Sequence, residues 1–155
     1  MKVVVADASP INYLILIDCT DVLRRLYGRV VIPPEVLGEL TAEGTPLTVK
    51  SWIRARPGWI EVESAPEGTT IDAILDAGEA AAIRLALAEP DCLLLIDESE
   101  GRSVASRLGI SNTGTLGVLI EAARDGLVEL RPALENLQRT NFRVSQSLIA
   151  QILAD

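Results

Sequence analysis

The chain has 155 residues, enough for one domain with a sizeable core, and 48% of them are hydrophobic. It contains 0 His, which excludes histidine-based triads, imidazole general bases and histidine-rich zinc sites. The net charge of −8 argues against non-specific electrostatic binding to nucleic acid, but acids gathered in a metal site would still be compatible with a nuclease.

The sequence shows no membrane or secretion signal. No apolar run approaches the roughly 20 residues that span a bilayer, and residues 1–7 lack the features of a signal peptide. We therefore expect a cytoplasmic protein. Cys19 and Cys92 lie among aliphatic residues without a CxxC partner, so we expect two buried thiols.

Short aliphatic runs alternate with helical patterns in the first half of the chain. Strands are predicted over residues 2–6, 29–32 and 59–63. Helices are predicted over 10–26, from 33–34 through Glu39, and over 47–56, and a loop is predicted over 66–70.

The second half repeats this alternation. Strands are predicted over 92–96 and 110–112, and helices over 76–88, 103–108, 114–125, 132–138 and 145–153. The pattern indicates an α/β fold with a central parallel sheet that carries helices on both faces. We expect one domain over 1–155, with its core at about 2–130 and C-terminal helices at about 131–155.

Four carboxylates follow or begin these elements, namely Asp7, Glu39, Glu79 and Asp97. Ligands of an open parallel sheet bind outside the carboxyl ends of its strands, and Asp7 and Asp97 each end a predicted strand. Like charges gathered there oppose folding unless a cation neutralises them. The pattern therefore indicates a site for Mg²⁺ or Mn²⁺, which can act on phosphodiesters without histidine.

Each carboxylate also has a structural explanation. Asp7 could be a turn or cap residue, although Ser9 could cap the helix alone. Glu39 could be a solvated helix residue, and Asp76 with Glu79 matches a capping box. Asp97 could likewise be only a cap.

Further candidate site residues surround Asp97. Glu100 is either a fifth metal ligand or a surface residue, and Arg102 either binds a phosphate or pairs with the acids. Asn112 and Thr115 flank Gly114 at a helix start, where they could bind an anion or act as ordinary caps.

Five stretches, in this order, resemble those of PIN-domain proteins of the branch related to VapC-type toxins. They are VADASPI (5–11), IPPEVLGEL (32–40), LDAGEAAAI (75–83), LLIDESEGR (94–102) and GTLGVL (114–119). The resemblance implies a Rossmann-like PIN domain that acts as a Mg²⁺- or Mn²⁺-dependent nuclease, usually on RNA. It carries Asp7, Glu39, Glu79 and Asp97 over as an acidic quartet, and it implies a homodimer and a small antitoxin partner.

The hypothesis is a metal-dependent endoribonuclease, the toxin of a type II toxin–antitoxin pair. The aromatic content of 3% leaves few stacking platforms, so the RNA backbone could instead be held by arginines. The candidates are Arg24, Arg25, Arg54, Arg56, Arg102 and Arg107. The alternative is a PIN-fold module that binds nucleic acid or protein with little or no turnover. A small-molecule phosphohydrolase is less well supported, because Ser9 stands where a second Asp would be expected.

Overall fold

The computed structural model describes residues 2–67, 71 and 75–155. Its sheet consists of β1 (Val3–Ala6), β2 (Val30–Ile32), β3 (Ile60–Val62), β4 (Cys92–Leu95) and β5 (Ser111–Thr113). The strands are all parallel, in the order β3-β2-β1-β4-β5. The chain moves outward from β1 in one direction and then from β4 in the other. The boundary between β1 and β4 is therefore the topological switch point of the sheet.

Helices connect and follow these strands. They are α1 (Ala8–Leu16), α2 (Asp21–Tyr27), α3 (Pro34–Leu40), α4 (Leu47–Arg54), α5 (Ala77–Leu87), α6 (Ser99–Arg107), α7 (Thr115–Arg124), α8 (Leu130–Gln138) and α9 (Gln146–Ala154). In the part of the chain that the structure describes, none of these helices has the length and apolar character needed to cross a membrane.

Alternate side chains of the strands enter two separate cores. Val4 and Ala6 of β1 pack into a core with residues of α1, α2, α7 and α8, whereas Val5 packs on the opposite face with residues of α5 and α6. Helices therefore cover both faces of a parallel sheet. The predicted α/β architecture is confirmed.

The helix predicted over 10–26 is wrong, because the structure has two helices there. α1 begins at Ala8 and ends at Leu16, and Asp18 then adopts a positive φ of 58° before α2 begins. A residue in this left-handed region cannot continue an α-helix. The apolar spacing persists across the break because both helices bury residues in the same core, so periodicity alone does not reveal it.

The start of α6 also differs from the prediction. α6 begins at Ser99 rather than at 103. Ser99, Glu100 and Arg102 of the added turn are polar and exposed, and the buried Gly101 has no side chain, so the turn gives no apolar signal. Of the loop predicted over 66–70, residues 68–70 lie outside the described residues. Both cysteines are free thiols, and Cys92 is buried while Cys19 is partly exposed.

Candidate active site

Asp7 and Asp97 lie at the carboxyl ends of the two central strands. Asp7 follows β1 directly, and its backbone N–H donates to the carbonyl of Leu95 in β4 at 2.9 Å. Asp97 lies two residues beyond the end of β4. Because β1 and β4 are neighbours in the sheet, both carboxylates lie at its switch point. A site shared by Asp7 and Asp97 requires their two strands to lie close together, and the strands are adjacent.

Three hydrogen bonds hold the carboxylate of Asp97. Its Oδ1 accepts from the backbone N–H of Thr115 at 2.7 Å. Its Oδ2 accepts from the hydroxyls of Ser9 and Thr115, each at 2.8 Å. Ser9 therefore does not cap α1, and the cap position belongs to Asp7, whose side chain makes no capping bond. The starts of α1 and α7 are both tied to Asp97.

Glu79 enters the site from the first turn of α5 and is buried. Asp76 occupies the cap position of α5 and accepts a hydrogen bond from the Glu79 N–H at 2.8 Å, which is one half of a capping box. A glycine leaves room for the carboxyl group, since a Cβ at Gly101 would lie 2.8 Å from Glu79 Oε2. The capping role of Asp76 and the burial of Glu79 thus coexist.

Glu39 reaches the same region from the last turn of α3. It is an exposed residue, and its Oε1 accepts from the backbone N–H of Gly78 at 3.1 Å. A Cβ at Gly78 would overlap this carboxyl group. Glu39 therefore joins α3 to the start of α5, beside Glu79.

Burial and mutual repulsion shift the ionisation of these acids. The pKa of Asp7 is raised to about 7, chiefly by burial. A hydrogen bond from the Ala8 N–H lowers it, and the charges of Glu39, Asp76 and Asp97 add to the rise. Burial likewise raises the pKa of Glu79 to about 8, with contributions from Asp76 and Asp7.

The same effects act on Glu39. Desolvation of its carboxyl group and the charge of Asp76 raise its pKa, and the hydrogen bond from Gly78 opposes them. Asp76 contributes to all three shifts and is thus a fifth member of the cluster, which the sequence reading treated only as a cap. Asp76 lies three residues before Glu79, and this spacing is the sequence feature that could have indicated that Asp76 belongs to the cluster.

The donor set fits a hard divalent cation, although the side chains do not yet converge on one point. In residues 2–67, 71 and 75–155, no three acids or cysteines form a ready metal-binding group. Asp7 Oδ1 and Glu79 Oε2, however, are buried oxygens without a hydrogen-bond partner. Such oxygens are costly unless a cation or proton meets them. Asp7, Glu79 and Asp97 are the residues that would hold Mg²⁺ or Mn²⁺, with Glu39 and Asp76 beside them.

The other predicted site residues have definite positions. Glu100 and Arg102 lie exposed on α6, and Arg102 makes no ion pair with any described residue. Asn112 donates to Ser106 Oγ at 3.0 Å and to the Ile110 carbonyl at 3.1 Å, which ties β5 to α6. Thr115 is buried, and its backbone N–H and its hydroxyl both donate to Asp97. Their roles toward a metal or phosphate stay predictions.

Comparison with known proteins gives one result that agrees with this geometry. No curated protein matches the sequence. A family model described as a PIN domain matches residues 3–155, which is almost the whole chain. The five-stranded parallel sheet with helices on both faces is consistent with that family's Rossmann-like fold. The chain therefore belongs to the PIN-domain family, and its fold is nuclease-like.

Proposed function

We propose that this protein is a metal-dependent endoribonuclease that cleaves RNA phosphodiester bonds at the carboxylate cluster. The observation that carries the proposal is the pair of buried, unpartnered oxygens of Asp7 and Glu79 at the switch point of the sheet. An acidic cluster that destabilises the protein serves no purpose in packing, but it suits a divalent cation. Membership of a family of nuclease-like fold supports the same reading.

Within this proposal the side chains divide the work. Mg²⁺ or Mn²⁺, when bound, neutralises the acids, polarises a phosphodiester and makes water more acidic. Asp7, Glu79 and Asp97 are its principal holders, and Ser9 and Thr115 fix the orientation of Asp97. Glu39, exposed at the edge of the cluster, is placed to orient a water molecule or to bind a second ion. Arg102, exposed and unpaired among the described residues, is available to a phosphate.

The finer identity that we propose is the toxin of a type II toxin–antitoxin pair, on the strength of the resemblance to VapC-type toxins. A small antitoxin and a homodimer belong to that proposal. Among the described residues, the large exposed apolar side chains are Leu47, Leu87, Leu108 and Leu148, whereas Tyr13, Leu16 and Leu26 are partly buried. Arrest of bacterial growth on expression, relieved by the short protein encoded next to this one, would support the toxin role.

Substitution of the central aspartates tests the nuclease proposal. Asp7→Asn and Asp97→Asn each remove a ligand charge with almost no change in shape. We expect at least about a 100-fold loss of RNA cleavage with Mn²⁺, since even residues that only support metal ligands cost 10–100-fold. Glu98→Gln is the matched control, because Glu98 is exposed beside Asp97. Cleavage by both Asn variants at the wild-type rate would remove the proposed mechanism.

A second candidate function is a PIN-fold binding module with little or no turnover. The observations that favour it are the net charge of −8, which repels RNA, and the engagement of both Asp97 oxygens in hydrogen bonds. Calorimetry with Mn²⁺ separates the two. Metal binding without cleavage of any tested RNA would favour the binding module.

A further inference from the structure

A segment near the C-terminus is fastened to α1 beside the carboxylate cluster. This segment, residues 139–143, follows α8 and is called the arm here. The Tyr13 hydroxyl donates to Asn141 Oδ1 at 2.8 Å, and the rings of Tyr13 and Phe142 meet edge to face at 4.9 Å. Thr140 Oγ1 donates to the Leu137 carbonyl and accepts from the Phe142 N–H. The arm therefore has a defined position on α1.

One face of α1 leads from the cluster to a cavity. Ser9, Tyr13 and Leu16 stand at positions i, i+4 and i+7, so they lie on the same face. Ser9 bonds Asp97, Tyr13 holds the arm, and Leu16 lines an open cavity of about 660 Å³. At 1.5 Å per residue, Leu16 lies roughly 10 Å along the axis from Ser9, a distance of more than one nucleotide in an extended strand.

The cavity has the mixed lining of a nucleotide site. Leu16, Ile17 and Pro46 supply apolar surface, whereas Asn136, Arg139 and Asn141 supply polar groups. A volume of a few hundred Å³ with few polar groups is typical of small-ligand sites, and amides and guanidinium suit base edges and phosphates. The carboxylate of Asp18 also lines it, so a phosphate would have to lie toward Arg139.

The arm carries two arginines, Arg139 and Arg143. Arg139 lines the cavity and donates to Asn136 Oδ1 at 3.2 Å, and Arg143 directly follows Phe142. Both are exposed, and neither forms an ion pair with any residue that the structure describes. Burial raises the pKa of Tyr13, the charge of Asp97 raises it as well, and the charge of Arg143 lowers it. Both arginines are therefore free to meet an anion, in a chain whose net charge is −8.

We propose that single-stranded RNA runs from the carboxylate cluster across Tyr13 into this cavity. Arg143 binds the phosphate next to the cleaved one, and Arg139 binds the phosphate of the nucleotide seated in the cavity. The inference rests on the proposed nuclease function, and it assigns the arm and the cavity to the part of the strand beyond the cleaved bond. The arm supplies two positive charges along this path.

The experiment compares the Arg139→Gln/Arg143→Gln double variant with Arg131→Gln, a change of an exposed arginine on α8 outside the cavity lining. Binding of a fluorescent single-stranded RNA is measured in EDTA over a range of salt, where no metal supports cleavage. Each lost phosphate contact should reduce the salt slope by about 0.7, so the double variant should lose about 1.4 and Arg131→Gln nothing. A double change to Lys should retain the slope, which separates lost charge from misfolding.

Cleavage gives the second readout. With Mn²⁺, kcat/KM is compared for a short RNA core and for the same core lengthened on either side. The wild type should gain about tenfold from lengthening on one side, and the double Gln variant should lose that gain, whereas Arg131→Gln should keep it. Equal behaviour of the double Gln and Arg131→Gln variants in both assays, or no RNA binding by the wild type, overturns the inference. Arginine-dependent binding by a wild type that cleaves nothing would contradict the nuclease proposal alone.

Discussion

Glycines hold open the space that the acids of the site occupy. A Cβ at Gly114 would lie 2.6 Å from Asp97 Oδ1, closer than real Cβ atoms come, and 3.3 Å from the Ile96 carbonyl, which is a tight contact. Gly101 does the same for Glu79, and Gly78 for Glu39. The positions of these carboxylates thus depend on the lack of a side chain at each glycine as well as on hydrogen bonds.

Gly114→Ala should therefore impair the site without unfolding the protein. The added methyl group forces Asp97 away from the Thr115 N–H, and we expect about a tenfold fall in kcat/KM and a loss of about 1–3 kcal/mol in the free energy of unfolding. Gly38→Ala is the control, since nothing lies within 4 Å of a Cβ there. It should stabilise α3 by about 0.5–1 kcal/mol with unchanged activity. Wild-type kinetics in Gly114→Ala would contradict this account.

The start of α7 is coupled to the site through Thr115. Its N–H and its hydroxyl both bind Asp97, so the helix brings a donor pair to the end of β4. Ser9, at the start of α1, supplies the third donor. Asp97 is consequently positioned by two helices rather than by its own strand.

Thr115→Val should separate the contribution of the Thr115 hydroxyl from that of its backbone N–H. The variant keeps the backbone bond and the shape but leaves Asp97 Oδ2 with Ser9 alone, so we expect a threefold to tenfold loss of kcat and a loss of about 1 kcal/mol in unfolding free energy. Thr20→Val is the comparison, because the Thr20 side chain makes no capping bond at α2. If the two variants cleave RNA equally fast, the hydroxyl of Thr115 does not position Asp97.

At the level of the whole molecule, the acids should make stability depend on pH. The pKa values of Asp7 and Glu79 rise from 3.8 and 4.5 to about 7 and about 8, so the folded chain binds more protons than the unfolded one between about pH 4 and 8. Stability contributed by these groups is present at low pH and is lost as the pH rises through that window.

Thermal unfolding of the metal-free protein measures this effect. The melting temperature should fall from pH 5 to pH 8, and Asp7→Asn should remove much of the fall by stabilising the protein at pH 8 by on the order of 2–4 kcal/mol. Mn²⁺ should raise the wild-type melting temperature more at pH 8 than at pH 5, because protons compete with the metal. A wild-type melting temperature that rises steadily with pH would show that the acids are not crowded.

Much of this architecture follows from local patterns in the sequence. Uniformly aliphatic runs such as Cys92–Leu95 mark buried parallel strands, and an Asp just after two of them marks the rim. The break at Asp18 could not be predicted, because it depends on the left-handed conformation of one residue, while the helical spacing of apolar residues continues across it. Asp76 was hidden for a different reason: its capping role and its place among the acids use the same carboxylate. The arm was invisible because its contacts span more than a hundred residues.

The central claim is that the carboxylates at the switch point bind a divalent cation, and titration calorimetry with Mn²⁺ tests it most directly. Heats measured in buffers of different ionisation enthalpy give the protons released on binding. We predict saturable binding that releases more protons at pH 7 than at pH 9 and is lost in Asp7→Asn, while Glu98→Gln binds normally. No binding by the wild type, or equal binding by Asp7→Asn, would contradict the claim.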